Sequence, residues 1–438
     1  MTEQESISTI VSLARKRANQ LSALSNEKRN QLLASISKKI KNSRNEIAVA
    51  NQKDIDSASD LVAKGELSQV LVNRLNLSDD KIDQLSSYLE SVSKLDDPIG
   101  KIQYEVTLDD GLELSRVSCP IGVLAIIFES RPEVVIQVSA LCLKSGNAVI
   151  LKGGSEAFHS NRVLYSIISS VLKEFGLEGA VGLIETRDDV SDLLSYDQEI
   201  DLIIPRGSNS FVKYIQDNTR IPVLGHSSGI CHLFIHSQCD RKKAVDITLD
   251  AKLDYPSACN AVETLLIDRD VQDDIFQEIL MALQNKSVKL LGCSDTIGRA
   301  DSLNIKLQAV SDEDWSTEYG DLVLSIKIVD SLVEAIDHIN QYGSHHTDSI
   351  ITEDQKSADR FFERVDSACV FHNASTRFSD GFVFGLGAEV GISTNKTHAR
   401  GPVGLEGLII YKYLLKGKGH IKAPYSGKNA KPFLHAIP

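Results

Sequence analysis

Apolar residues recur at three- and four-residue spacing through the first part of the chain. Ile7, Ile10, Val11, Ala14 and Leu21 form one such stripe, and Leu32, Leu33, Ile36 and Ile40 another. The periodicity predicts a helical lead-in over about residues 3–95, punctuated by polar linkers at Ser78-Asp79-Asp80 and Asp96-Asp97-Pro98. The texture then changes. Residues 102–106 and 112–117 alternate apolar and polar positions on either side of Asp109-Asp110-Gly111, a tight-turn signal. A β-hairpin with one exposed face is predicted there.

From about 119 to 268, short apolar strands (122–128, 147–151, 181–184, 201–204, 230–235, 261–267) alternate with helical segments (132–144, 156–175, 188–195, 208–217, 240–252). A second alternating block covers about 271–400. It has helices at 271–285, 331–341 and 354–365, and strands at 287–291, 322–329, 348–352 and 367–371. Repeated alternation of this kind predicts parallel sheets covered by helices, an α/β class with two α/β units.

Composition narrows the function. Lys and Arg number 47 against 60 Asp and Glu, a net charge of −13. That disfavours a general nucleic-acid binder, which needs a basic face, but leaves room for a local basic pocket. No run approaches the roughly 18–20 apolar residues of a membrane helix, and the acidic, polar start lacks the pattern of a secretory signal. The seven Cys include no C-x-x-C pair, which argues against a disulfide framework and a structural zinc site. Cys231-His232 and Cys239 are better read as residues of buried strands and their ends than as metal ligands. A cytoplasmic protein without a metal is expected.

No G-x-G-x-x-G follows any predicted strand. Strand 147–151 instead runs into Leu151-Lys152-Gly153-Gly154-Ser155-Glu156 ahead of a helix. Glycines allow close backbone approach, Lys152 places a positive charge at the carboxyl edge of a sheet, and Ser155 can cap the helix. A plain strand–helix turn explains the same pattern. Pro205-Arg206-Gly207-Ser208 repeats the theme, and two such turns on one sheet point to a nucleotide site. Among the cysteines, Cys259 stands out. Asp254-Tyr255-Pro256-Ser257-Ala258-Cys259-Asn260-Ala261 is a loop of small residues between a helix and a strand, where a thiol can meet a carbonyl substrate.

Longer motifs carry a resemblance. They include Cys119-Pro-Ile-Gly-Val123, Phe128-Glu-Ser-Arg-Pro-Glu-Val134, Leu143-Lys-Ser-Gly-Asn-Ala-Val-Ile-Leu-Lys-Gly-Gly154, Tyr255-Pro-Ser-Ala-Cys-Asn-Ala261 and His338-Ile-Asn-Gln-Tyr-Gly-Ser-His-His-Thr-Asp348. Asn373-Ala-Ser-Thr-Arg-Phe-Ser-Asp-Gly381, Gly385-Leu-Gly-Ala-Glu-Val-Gly-Ile-Ser393 and His398-Ala-Arg-Gly-Pro-Val-Gly-Leu-Glu-Gly407 follow. In this order, over about residues 8–415, the chain resembles the aldehyde dehydrogenase superfamily and, within it, the gamma-glutamyl phosphate reductases.

The resemblance implies an aldehyde-dehydrogenase-like α/β fold. A Rossmann-type cofactor domain would span 1–100 and 119–254, and an α/β catalytic domain 255–404. A β-hairpin oligomerisation arm at 101–118 would act with 405–425, giving a homodimer or homotetramer. It implies NADPH-dependent reduction of L-glutamyl 5-phosphate to L-glutamate 5-semialdehyde with release of phosphate, through a thioester on Cys259. Glutamate 5-kinase, which makes the substrate, becomes a candidate partner. Lys152, Gly153, Ser155, Glu156, Gly207, Ser208 and Glu318 are the implied cofactor residues. For Glu318 a solvated loop acid is an equal reading.

Three departures from aldehyde-oxidising relatives carry chemistry. Val223 takes the place of the Glu that activates water against the thioester, which fits a reductase and opposes an oxidiser. Ser130 takes the place of an oxyanion-donating Asn, so a backbone N–H, such as that of Cys259, has more to do. Ser155 takes the place of a ribose-binding Glu, with Glu156 one residue later; beside Lys152 this favours a 2′-phosphate and hence NADPH.

For the substrate, Arg377 and Arg131 are the candidates for its two anionic groups and Glu129 for its ammonium, with Asn373, in the same motif as Arg377, a further substrate-binding candidate. Either Arg making a structural ion pair is the competing reading. An aldehyde oxidiser and a non-catalytic scaffold remain as alternatives.

Overall fold

The computed structural model describes residues 6–66, 69–207, 209–225, 228–387 and 389–437. The lead-in forms helices Ile7–Ser22, Asn26–Asn42, Arg44–Ala63, Gln69–Leu75 and Asp79–Lys94. Ser6, Ser25 and Ser78 open three of them, each accepting a hydrogen bond from a backbone N–H three residues on, which satisfies an otherwise orphaned donor. Their apolar stripes, Val11 to Leu21 and Leu32 to Ile40, join one core with the sheet that follows.

Strands β1 (Ile102–Asp109) and β2 (Leu112–Pro120) make the predicted antiparallel hairpin. Strands β3 (Val123–Phe128), β4 (Ala148–Lys152), β5 (Val181–Ile184) and β6 (Leu202–Arg206) then form a parallel sheet in the order β5-β4-β3-β6. β3 is buried along its whole length, which explains its unbroken apolar run.

Next come β7 (Cys231–Ile235), β8 (Val262–Asp268), β9 (Lys289–Gly292), β10 (Gln308–Ala309), β11 (Val323–Val329), β12 (Thr347–Ile351) and β13 (Cys369–His372). They form a second, seven-stranded parallel sheet in the order β10-β9-β11-β8-β7-β12-β13. The change of sheet therefore comes at β7, ahead of the break expected at 254/255. β7 lies between β8 and β12 and does not extend the first sheet. Apolar periodicity identifies such a strand but not its neighbours. Helix Ser294–Ser302 and β10 were not predicted; that helix is largely polar and buries only Thr296 and Ala300.

Strands β14 (Gly391–Ser393) and β15 (Gly401–Val403) pair with each other, and nearby residues Val390, Ala399, Leu405 and Leu408 return to the first core. β16 (Ile409–Lys416) runs antiparallel beside β2. The hairpin and the tail, two separate elements in the sequence, thus become one three-stranded sheet. Tyr104, Tyr411, Tyr413 and Leu415 of this sheet are exposed. No described helix is long and apolar enough to cross a membrane.

Candidate active site

The carboxyl ends of β3, β4 and β6 open into two adjoining clefts, with Phe128 and Glu129 lining both. The first, of about 670 Å³, gathers Ser130, Lys152, Gly154, Ser155, Glu156 and Tyr214. An ammonium, a hydroxyl and a carboxylate at a sheet edge suit the ribose and phosphate groups of a dinucleotide.

Some local reasons differ from those the sequence suggested. Ser155 does not cap the following helix, Phe158–Glu174. Asp54 does, accepting from the N–H groups of His159 (3.0 Å) and Ser160 (2.7 Å). Gly153 is required by packing: a Cβ there would meet the Asn161 amide nitrogen at 2.1 Å. Glu156 is turned towards Ser130, whose N–H and hydroxyl both donate to its Oε1 (2.5 and 2.7 Å). Ser130 has a left-handed backbone (φ 46°), a conformation costly for a residue with a Cβ and held here by these two bonds.

The second cleft, of about 600 Å³, holds Cys259. Two consecutive turns, Tyr255 to Ala258 and Ala258 to Ala261, shape the loop that presents it. From behind, the chain at Gly229 approaches so closely that a Cβ would lie 2.2 Å from the Cys259 carbonyl oxygen. The Cys231 thiol donates to the same oxygen at 3.4 Å. Four arginines (Arg74, Arg131, Arg206, Arg377) and three acids (Glu129, Asp380, Glu389) line this cleft. Burial pushes the Cys259 thiol up to about 12, Glu318 and Glu389 push the same way, and the Arg206 guanidinium opposes them. Burial also raises the Glu389 carboxyl, against the pull of the Gly381 N–H, Arg206 and Arg131.

The expected substrate residues separate. Glu129 and Arg131 face the cleft. Arg377 also lines it but is already engaged. Its Nε donates to Asp254 at 3.0 Å, and an Nη donates to the Asn260 side-chain oxygen. Asn373 is not among the residues lining the cleft. Its side chain bonds the backbone of Thr352, donating to the carbonyl at 2.9 Å and accepting from the N–H at 3.0 Å. Its φ of 52° marks it as a turn residue after β13. Gly207 lies in the Cys259 cleft, beside Glu129, and does not line the Lys152 cleft. Ser208 lies outside the described residues. Glu318 is near enough to Cys259 to act on its charge.

Comparison with known proteins agrees with this geometry. The profile described as the aldehyde dehydrogenase family matches residues 1–290. A gamma-glutamyl phosphate reductase of Natronomonas pharaonis is 52% identical over 425 residues, covering 97% of this chain and 96% of its own. One from Methanococcoides burtonii is 50% identical, over 95% of this chain and 93% of its own. The crystal structure of gamma-glutamyl phosphate reductase from Thermotoga maritima superposes with a TM-score of 0.91 at 37% identity. It covers 95% of this chain and all of that one. This chain belongs to the gamma-glutamyl phosphate reductase family.

Two departures from aldehyde-oxidising relatives can now be placed within a gamma-glutamyl phosphate reductase. Val223 runs alongside β6, bridging Ile203, and its carbonyl accepts from Asn395 at 2.7 Å. It brings no carboxylate. The acids lining the cleft come from other segments, as Glu129, Asp380 and Glu389. Ser130 is committed to Glu156, and the Asn260 amide nitrogen donates to the Ser379 carbonyl at 2.9 Å. Neither is turned to stabilise an oxyanion at Cys259. Sequence reasoning missed Arg206 and Glu389. The available signal for Arg206 was a lone cation closing the apolar strand Leu202-Ile-Ile-Pro-Arg206.

Proposed function

We propose that this chain reduces L-glutamyl 5-phosphate to L-glutamate 5-semialdehyde with NADPH and releases phosphate, the second step of proline biosynthesis from glutamate. The observation that carries the reading is the Cys259 cleft itself. It sets a thiol among four guanidinium groups and three carboxylates. The substrate has two anionic groups, one ammonium and an acyl carbon that a thiol attacks. The names of the relatives point the same way.

In the proposed reaction the Cys259 sulfur bonds to the acyl carbon, the carbon–oxygen bond to phosphate breaks, and the thiol proton departs with phosphate as hydrogen phosphate. A thioester remains. The nicotinamide cofactor, when bound, supplies the hydride that converts this thioester to the aldehyde level. Cys259 then recovers a proton and releases the semialdehyde. The backbone N–H of Cys259 is the oxyanion donor in this reading. Lys152, Ser155 and Glu156 hold the cofactor, Lys152 favouring the 2′-phosphate of NADPH, and Glu318 holds its nicotinamide ribose. Glu129 takes the substrate ammonium. The β1-β2-β16 sheet serves a homodimer or homotetramer in the cytoplasm, and glutamate 5-kinase is the candidate partner.

The test runs the reaction backwards. Glutamate 5-semialdehyde should reduce NADP⁺ only when inorganic phosphate is present. Equal turnover without phosphate would mark an aldehyde oxidiser instead.

A further inference from the structure

Two of the four cleft arginines differ from the others. Arg377 is held by Asp254 and Asn260, and Arg74 reaches the Tyr255 hydroxyl at 3.5 Å. Arg131 and Arg206 have no hydrogen-bond or ion-pair partner among the described residues, yet both line the cleft. The fold sets them near each other. Arg206 ends β6 opposite Phe128 of β3, and Arg131 follows Phe128 by three residues. Their charges repel: after burial, Arg131 is the group that most disfavours the charged form of Arg206, while Glu389 and Cys259 favour it. Two like charges kept on one wall of a partly dry cleft cost energy until an anion with several oxygens bridges them. Arg206 is also close enough to Cys259 for each to act on the other's charge. A leaving group must sit beside the sulfur that displaces it.

We propose that Arg131 and Arg206 together form the subsite for the phosphoryl group exchanged at Cys259, and that Arg377 is a positioning residue for the Cys259–Asn260 loop. The inference rests on the acyl-phosphate reading above and assigns the residues that reading leaves open. In the forward direction the pair receives phosphate as the carbon–oxygen bond breaks. In reverse it holds inorganic phosphate as one oxygen attacks the thioester carbon and the carbon–sulfur bond breaks.

The experiment measures phosphate-dependent NADP⁺ reduction with glutamate 5-semialdehyde. Arg206→Met should raise the KM for inorganic phosphate at least about tenfold, the worth of a charged hydrogen bond, with the semialdehyde KM within about twofold. Arg206→Lys, which keeps a point charge, should recover part of the loss. A second readout needs no turnover. Inorganic phosphate should slow alkylation of Cys259 by iodoacetamide in the wild type and not in Arg206→Met. Should Arg206→Met melt early, Arg131→Met, on a different segment, must show the same phosphate-selective change. An unchanged phosphate KM in the Arg206 variant, or equal rises in both KM values, overturns the subsite while leaving the acyl-phosphate reading intact. Wild-type turnover without phosphate overturns both.

Discussion

Lys252 and Glu263 form an ion pair with both side chains out of water, Nζ to Oε2 at 2.6 Å. Lys252 also donates to the Val262 carbonyl at 3.0 Å, and the other Glu263 oxygen accepts from the Gly320 N–H at 3.1 Å. The pair thus ties the helix before the Cys259 loop to the strand after it, and both to the segment that carries Glu318. Removing one partner strands a buried charge. Lys252→Met or Glu263→Leu alone should cost about 3–5 kcal/mol of unfolding free energy, and the double variant much less. Denaturant titration of all three variants checks this; additive losses would contradict the pairing.

A related prediction concerns Arg377, close to Cys259. It bonds Asn260, the residue after Cys259, so Arg377→Ala should lower kcat more than it raises the substrate KM. It should also lower stability by about 1–3 kcal/mol. A double-mutant cycle with Asn260→Ala should show a coupling of at least about 0.5 kcal/mol. A change confined to KM, with no coupling, would return Arg377 to the role of a substrate anchor.

The ligand-free thiol should be a slow nucleophile. Burial raises Cys259 to about 12, so a rise in pH increases its thiolate fraction, and hence its alkylation rate, about tenfold per unit with no plateau from about pH 7 to about pH 10. A plateau near neutral pH in an iodoacetamide rate profile would show instead that the cations dominate the carboxylates and the burial.

Cofactor choice should depend on Lys152. Lys152→Ala should raise the KM for NADPH about tenfold while that for NADH stays within about twofold. Steady-state comparison of the two cofactors reads this directly, and equal effects would remove Lys152 from the 2′-phosphate.

Much of this architecture is legible in the sequence because it is periodic. The unbroken run Val123–Phe128 and the stripes of the first helices mark buried faces. Cys259 is legible because small residues frame a thiol between two elements. Sheet membership is less so: Cys231–Ile235 reads as one more apolar strand, and only its pairing with β8 and β12 assigns it to the second sheet. The charged groups are hardest. Glu263 sits within seven consecutive buried strand residues, a signal that it must be paired, but nothing local names Lys252 as its partner. Arg206 and Glu389 converge on the cleft from positions far apart in the chain. Asn373 misleads because the motif that brings Arg377 and Asp380 to the cleft also contains the residue that shapes the turn before them.

In the proposed reaction Cys259 carries the acyl group between phosphate and hydride transfer. The most direct measurement is phosphate-dependent reduction of NADP⁺ by glutamate 5-semialdehyde with Cys259→Ala beside the wild type, both checked for the same melting temperature. The variant should lose at least about a thousandfold in rate. Full activity in the folded variant would contradict this role of Cys259.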